Sequence, residues 1–430
     1  MHQRWKICGL LVMIVIILSG CAFRELKKEI KEMESTVGLG GKIISPSPLQ
    51  ANVLVMLFKD KAGRKEIYNF SILEQEEIYL FLVPPGRYYI FAFEDLNSNM
   101  RYDDGELAGY VDKGVEVTLS RLRADDDVDI VLAKGLTLPE GFPQGLELSG
   151  EVINSRILFA GRLIDLNDEI FSLKNAQMGF WKPLSFAKQF GVGVYFLEPY
   201  DPDKIPILFV HGASGTPQHF QYIIENLDRK KYQPWVYYYP SGVSLNRISG
   251  ALDYLIQHLH DKYGFPRLYV TAHSMGGLVA RGFNVQNYYQ KEQNYIKLFV
   301  SISTPWGGLD SARRGVKRAP AAIPSWHDVV PDSPFIKYAF SQKLTPNIEY
   351  YLLFGFKGDC SMFMENNDGS ITINSQLDPR AQEDAIFKWG FNRGHVPILS
   401  SPEVFAKYQQ ILERTRTEDE YKFNLFGVTD

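Results

Sequence analysis

At 430 residues the chain is long for one domain and points to two. An apolar fraction of 45% with 22% charged residues is that of a globular protein. A net charge of −4 argues against a nucleic-acid partner, which needs a basic stripe.

The N-terminus departs from this globular character. Arg4 and Lys6 form a positive start, Ile7 to Leu18 a short apolar run, and Leu18-Ser19-Gly20-Cys21 a small-residue ending. A run this short reads as a signal peptide over residues 1–20 rather than a membrane-spanning helix. The ending resembles a bacterial lipobox. That resemblance implies cleavage before Cys21 and acylation of its thiol and amine. Each buried CH₂ of the acyl chains contributes about 0.8 kcal/mol to membrane anchoring. Ala22 rather than Asp follows the cysteine, which by analogy with bacterial sorting favours the outer membrane of a cell envelope. An ordinary secretory leader with a chance cysteine is the alternative. Cys8 leaves with the leader and Cys21 takes lipid, so Cys360 stands alone and no internal disulfide is expected.

Residues 21–41 read as a lipidated tether. Leu26, Ile30 and Met33 recur at helical spacing, and Gly38, Gly40 and Gly41 are expected to end it. From 42 to 138 the period changes to two. Strands are predicted at Val53–Phe58, Ile78–Val83, Arg87–Phe93, Val115–Leu119 and Val128–Leu132, with Pro84-Pro85-Gly86 as a turn. The expectation is a small antiparallel β-sandwich. The turn and the strand after it resemble the prealbumin-like or carboxypeptidase-regulatory-like sandwiches of bacterial surface proteins. One loop places Asp95, Asn97, Asn99, Asp103 and Glu106 at positions 1, 3, 5, 9 and 12 of a calcium loop. Met100 stands where such a loop needs glycine. The competing reading is a polar hairpin loop held by Asx turns.

Residues 139–204 read as a Gly/Pro-rich linker and a lead-in to a second domain at 205–430. There the pattern is strand and helix in alternation: Ile207–Val210, Tyr222–Leu227, Trp235–Tyr239, Ser249–Tyr263, Leu268–Ala272, Ile296–Ile302 and Tyr350–Phe356. Alternation of this kind calls for a mostly parallel sheet covered by helices on both faces.

Leu268-Tyr-Val-Thr-Ala272-His273-Ser274-Met275-Gly276-Gly277 is an apolar strand, a small-residue turn and the start of a helix, with a serine at the apex. A serine held there is pushed out of the sheet edge, and the amide after it faces the same side. Val210-His211-Gly212-Ala213-Ser214-Gly215 follows the first buried strand. Its Ala213 amide, with that of Met275, is positioned to form an oxyanion hole. After the Tyr350–Phe356 strand comes Asn367-Asp368-Gly369. Asp359 lies nearer to that strand, and Asp310, Asp328 and Asp332 precede it. His395, in Arg393-Gly394-His395, is the one histidine after Asp368; His219, His258, His260 and His327 have the wrong chain order, and His273 reads as structural.

Together, V-H-G-A-S-G, A-H-S-M-G-G-L-V-A-R, I-S-T-P-W-G-G and N-D-G-S-I resemble the landmarks of α/β-hydrolase lipases and esterases. The pattern is nearest to bacterial triacylglycerol lipases and inositol-deacylase-like acyl hydrolases. The likeness covers roughly 205–412. It implies an α/β-hydrolase fold with a cap or lid insertion at about 309–347 and a catalytic Ser274-His395-Asp368 triad. It also implies an oxyanion hole from Ala213 and Met275, cleavage of hydrophobic carboxylic esters, and no required cofactor. Ala272 departs from the usual first elbow glycine, and Ser370 stands where an apolar residue is common. Val396-Pro397 after His395 removes the calcium aspartate of some bacterial lipases. The insertion carries Arg313-Arg314, Lys317-Arg318 and Trp326, which suits either contact with an anionic membrane surface or a solvated cap helix. An acyltransferase with the same triad, a peptidase or amidase, and a non-catalytic surface-binding lipoprotein are the rivals.

Overall fold

A computed structural model describes residues 24–74, 78–111, 113–118, 128–138, 141–143, 157–357 and 366–415. The leader, Cys21, Asp359, Cys360 and the last fifteen residues lie outside the described residues. The chain divides into two units. One is built mainly from residues 28–160, the other from 161–186 and 193 onward.

A helix, α1, spans 24–34 and buries Leu26 and Met33, the residues at helical spacing. The glycines expected to end the tether lie instead inside the first strand, β1 (Val37–Ile44). A Cβ on Gly40 would sit 2.4 Å from the Tyr79 carbonyl oxygen, so close strand approach rather than helix termination accounts for that glycine.

Then follow β2 (Asn52–Lys61), β3 (Arg64–Leu73), β4 (Ile78–Val83), β5 (Gly86–Asp95), β6 (Ala108–Tyr110), β7 (Val115–Val117) and β8 (Ile130–Val131). They form one sheet of order β4-β1-β8 and another of order β3-β2-β5-β6, with β7 also paired to β5. Val53, Val55 and Leu57 of β2 enter one core, together with β1 and β4; Leu54, Met56 and Phe58 enter a second core on the opposite face. Burial on both faces explains why β2 is continuously apolar. The strand after Pro84-Pro85 joins the sheet of β2 and β3 rather than that of β4. The strands pair antiparallel as expected, apart from the short parallel pairing of β1 with β8.

The stretch expected as linker and lead-in contributes β9 (Leu158–Leu163), α2 (Leu173–Trp181), α3 (Pro183–Phe190) and β10 (Val192–Phe196). After them come β11 (Ile205–Val210), α4 (Gln221–Glu225), β12 (Tyr232–Tyr238), α5 (Leu245–Tyr263), β13 (Leu268–His273), α6 (Met275–Val285) and β14 (Ile296–Ile302). The insertion holds α7 (Asp310–Arg318), α8 (Pro324–Asp328) and α9 (Pro334–Ala339). The chain closes with β15 (Glu349–Gly355), α10 (Ile373–Gln376), α11 (Pro379–Asp384), β16 (Phe387–Phe391) and α12 (Pro402–Arg414).

These strands make one eight-stranded sheet of order β16-β15-β14-β13-β11-β12-β10-β9. Strands β11 to β16 pair in parallel, and β10 runs antiparallel to β12. This is an α/β-hydrolase fold. The chain moves from β11 out to β12, then returns past β11 to β13. The carboxyl ends of β11 and β13 therefore lie side by side where the strand order reverses, the place where open α/β sheets hold their ligands. Register pairs Val210 with Ala272, which sets the turn after β11 against the residue after β13. Every residue of α6 is buried, so the helix that starts at the serine turn is fixed in the interior.

Candidate active site

Ser274 stands between β13 and α6 with φ 57° and ψ −134°, a conformation that costs a non-glycine residue about 1–3 kcal/mol. Its surroundings hold it there. The Ser274 amide donates to the Ile302 carbonyl at 2.9 Å, and the Gly277 amide donates to the Ser274 carbonyl at 2.9 Å. A Cβ on Gly276 would lie 2.4 Å from the carbonyl oxygens of Val210 and His211, and one on Gly212 would lie 2.6 Å from the Ser274 Cβ. The two turns press together so closely that only glycine fits at either contact. Ala272 is wholly buried, and its single methyl group is accommodated where the resemblance expects glycine.

The three expected side chains meet. The Ser274 hydroxyl lies 2.9 Å from His395 Nε2, and His395 Nδ1 lies 2.7 Å from Asp368 Oδ2. Asp368 is 1% exposed, and its Oδ1 accepts the amides of Ser370 at 2.9 Å and Ile371 at 2.7 Å. The backbone joins the same loops, because the His395 amide donates to the Asp368 carbonyl at 2.8 Å. With Oδ1 holding two amides, Oδ2 is left for the imidazole N–H. That proton on Nδ1 leaves Nε2 free to accept from the serine.

Other residues support these three. His273, expected to be structural, donates from Nε2 to the His395 carbonyl at 2.8 Å, with its ring 4.7 Å from that of His395. Burial first, and then the nearby His395, hold His273 well below the usual histidine range. His211 stacks on Tyr239 at 4.1 Å, and its Nδ1 donates to the Gly212 carbonyl at 2.9 Å. Burial pushes it down to about 3. Burial also lowers His219, with His395 as a further cause. The carboxamide of Gln376 accepts the Gly355 amide and donates to the carbonyls of Gly355 and Ile371, stapling β15 to the Asp368 loop. Arg281 of α6 is 1% exposed. It donates to Asp384 at 2.6 Å and to the carbonyls of Ala339 and Gln342, tying the end of the insertion to the elbow helix. A lone cation inside Met275-Gly-Gly-Leu-Val-Ala-Arg281-Gly-Phe was the available signal, since a buried charge demands a partner.

Ala213 and Met275 flank the serine turn, and neither amide has an acceptor among the described residues. In the smaller unit, the five oxygen-bearing residues of the candidate calcium loop come together but bond to one another. Asp95 accepts the amides of Asn99 and Met100, Asp103 accepts the side-chain amides of Asn97 and Asn99, and Glu106 accepts the amides of Leu96 and Asp103. This is the pattern of an Asx-turn loop. Among the described residues no cluster of His, Cys, Asp and Glu is grouped to hold a metal, and no helix is long and apolar enough to cross a membrane.

A family model described as "Alpha/beta hydrolase of unknown function (DUF915)" matches residues 242–382, a span that includes Ser274 and Asp368. Comparison with curated proteins gives no match. Among solved structures, a gene product of Listeria innocua is 19% identical over 50% of this chain and 96% of its own, with a TM-score of 0.39. A lipase of Bacillus licheniformis in its mature form is 18% identical over 50% of this chain and 94% of its own, with a TM-score of 0.41. An esterase of Thermogutta terrifontis is 16% identical over 50% of this chain and 91% of its own, with a TM-score of 0.34.

Proposed function

We propose that this chain, whose larger unit has the α/β-hydrolase fold, is a serine hydrolase that cleaves carboxylic esters of lipids. The reading rests on one observation: the unbroken hydrogen-bonded chain from Ser274 through His395 to the buried Asp368, at a strained strand-to-helix turn. His395 Nε2 takes the hydroxyl proton as Ser274 Oγ attacks the ester carbonyl carbon. The developing oxyanion rests on the amides of Ala213 and Met275, each worth on the order of 3 kcal/mol in the transition state. Collapse breaks the ester bond, and the leaving alkoxide takes the proton from His395. Water then attacks the acyl-serine, giving its proton to His395, and the carboxylic acid leaves as Ser274 regains its hydrogen. Asp368 holds the imidazole tautomer and balances its transient positive charge. No metal or cofactor takes part in this scheme.

In this reading the lipobox-like ending at Cys21 supports anchoring through an acylated cysteine, at the outer membrane of a bacterial envelope. Hydrophobic esters are then the substrates within reach. The test is Ser274→Ala in the full chain. Hydrolysis of p-nitrophenyl esters and labelling by a fluorophosphonate should both disappear while the thermal transition stays in place. Turnover retained by this variant would refute the assignment. A chain-length panel on the unaltered enzyme should favour longer acyl groups over acetate, and radiolabelled palmitate should enter the chain but not its Cys21→Ser variant.

A further inference from the structure

The helix α7 carries a one-sided cationic face. At about 100° per residue, Arg313, Arg314, Lys317 and Arg318 fall within one arc of roughly 140°. All four are exposed. The opposite side carries Ala312, Gly315 and Val316 and faces the protein; a Cβ on Gly315 would lie 3.0 Å from the Trp326 ring. The one acid on the helix, Asp310, meets Arg313 at 3.6 Å in a solvated pair, and Arg314, Lys317 and Arg318 form no ion pair among the described residues. Like charges recur at 313/317, 314/317 and 314/318. Such spacings destabilise a helix. The chain as a whole is net negative at −4, so this cationic face is local, not a reflection of overall composition.

An aromatic cluster adjoins it, in which Trp181 is exposed, Trp326 half-buried and Phe180 buried. Trp181, at the end of α2, is 43% exposed and packs edge-on against Trp326 of α8 at 6.1 Å, with Phe180 completing the cluster at 5.3 Å and 6.4 Å from the two indoles. The outward side of α2 also exposes Leu173 and Lys174. Hydrogen bonds tie the cluster to the turn beside the site. The Ser325 amide donates to the Gly242 carbonyl, and the Gly242 amide to that of Gly179. The adjoining Tyr239 and Ser241 hold the turn after β11, through the His211 ring and the Ser214 amide. The helix α7 itself begins eight residues after Ile302, at the same carboxyl edge of the sheet as Ser274.

We propose that this rim docks on an anionic phospholipid bilayer, with the α7 cations against the headgroup phosphates and Trp181 and Trp326 at the acyl boundary. Charge complementarity selects the partner. A phosphate surface turns three repulsive spacings into shared attraction, and amphipathic indoles beside cations are the composition that settles at a membrane interface. The inference deepens the reading of a membrane-held hydrolase, and rests on it only for why this rim should face lipid. Docking itself needs no turnover.

The test uses the full chain with Ser274→Ala, so that no lipid is consumed. Its tryptophan fluorescence is read on phosphatidylcholine vesicles with brominated acyl chains, with and without phosphatidylglycerol. Quenching that disappears in Trp181→Phe/Trp326→Phe reports the docked rim. It should require phosphatidylglycerol and weaken as salt is raised. It should also fall on the order of fivefold in the docked-to-undocked ratio for each of Arg314→Gln, Lys317→Gln and Arg318→Gln. Equal quenching on neutral vesicles, insensitivity to salt, or no change in the triple Arg314→Gln/Lys317→Gln/Arg318→Gln variant overturns the proposal. So does tight binding of heparin or RNA by α7 without docking on vesicles. Salt titration of the chain with α7 unaltered keeps the test decisive if the triple variant folds poorly. In a chain with Ser274 intact, the same α7 changes should leave hydrolysis of a water-soluble acetate ester as it was. Loss of all ester turnover by the unaltered enzyme would overturn the hydrolase reading and leave docking standing.

Discussion

Replacing Asp368 by asparagine should stop turnover while leaving the fold intact, and the structure shows why. Oδ1 accepts two backbone amides, from Ser370 at 2.9 Å and Ile371 at 2.7 Å. Oδ2 accepts the imidazole N–H at 2.7 Å. An asparagine offers one acceptor and one donor. Turned with its NH₂ toward the two amides, it would set donors against donors in a buried place, at a cost of about 1–3 kcal/mol for each unsatisfied group. It therefore keeps its oxygen on the amides and points its NH₂ at His395 Nδ1. The ring must then accept at Nδ1 and carry its proton on Nε2, 2.9 Å from the Ser274 hydroxyl. In that tautomer it cannot take the serine proton. A wrong tautomer of this kind costs roughly 10⁴ in kcat. KM should change little, because Asp368 is buried behind the imidazole. Losing a charge-assisted acceptor should cost about 1–2 kcal/mol of stability, or a few degrees in Tm. The assay is p-nitrophenyl butyrate hydrolysis beside a thermal melt. Asp368→Asn retaining kcat within tenfold of the unaltered enzyme would refute the reasoning, as would a comparable loss in Asp359→Asn, which should behave like the unaltered chain.

Asp384→Ala leaves the Arg281 guanidinium buried without its carboxylate, and removing one partner of such a pair costs about 3–5 kcal/mol. Urea unfolding should show that loss, and a double Arg281→Met/Asp384→Ala variant should recover part of it. A single variant costing under about 1 kcal/mol would show that the pair contributes little. His211→Asn tests the buried histidines through pH. His211 falls from an ordinary 6.5 to about 3 on folding, so between those values the unfolded chain binds a proton that the folded chain refuses. Its contribution is complete above 6.5 and is lost as pH falls through that window, at up to about 1.4 kcal/mol per unit. Between about pH 7 and about pH 5 the unaltered protein should therefore lose about 2 kcal/mol more unfolding free energy than His211→Asn. Equal losses in both would contradict the burial argument.

What could be read from the sequence follows from how far each feature depends on distant parts of the chain. The central strands were legible because burial on both faces makes them apolar runs, as in Ile205–Val210 and the Leu298-Phe299-Val300 centre of Ile296–Ile302. Ser274, Asp368 and His395 were legible because strand order constrains the order of the site residues along the chain. By contrast, β3 was missed. Its sequence, Arg-Lys-Glu-Ile-Tyr-Asn-Phe-Ser-Ile-Leu, is polar at its start, and its hairpin turns on Ala62-Gly63. Both turn residues have positive φ, as a type I′ turn requires, but alanine gives no warning of it. Residues 139–204 read as linker and lead-in because short strands and helices at a sheet edge carry weak periodicity. Its role depends on pairing that no local window contains. The partners of Arg281 and His273 were equally hidden, being 103 and 122 residues away along the chain.

Those distant partners explain how a strained turn can serve as a precise site. Ser274 holds an unfavourable backbone conformation because Gly212 and Gly276 allow the β11 turn to close on it and because α6 is buried along its whole length. The base is held at both ends of its own residue: its amide donates to Asp368, and its carbonyl accepts from His273, the residue beside the nucleophile. Acid, base and nucleophile are thus joined by backbone as well as side chain, so a shift in one loop carries the others with it. In the proposed mechanism His395 becomes an imidazolium for part of each cycle. A charged neighbour 4.7 Å away would oppose that step. Burial keeps His273 neutral, so it can clamp the base without competing for the proton. The two requirements select the same solution, a histidine inside the core whose one free donor is spent on the backbone of the other.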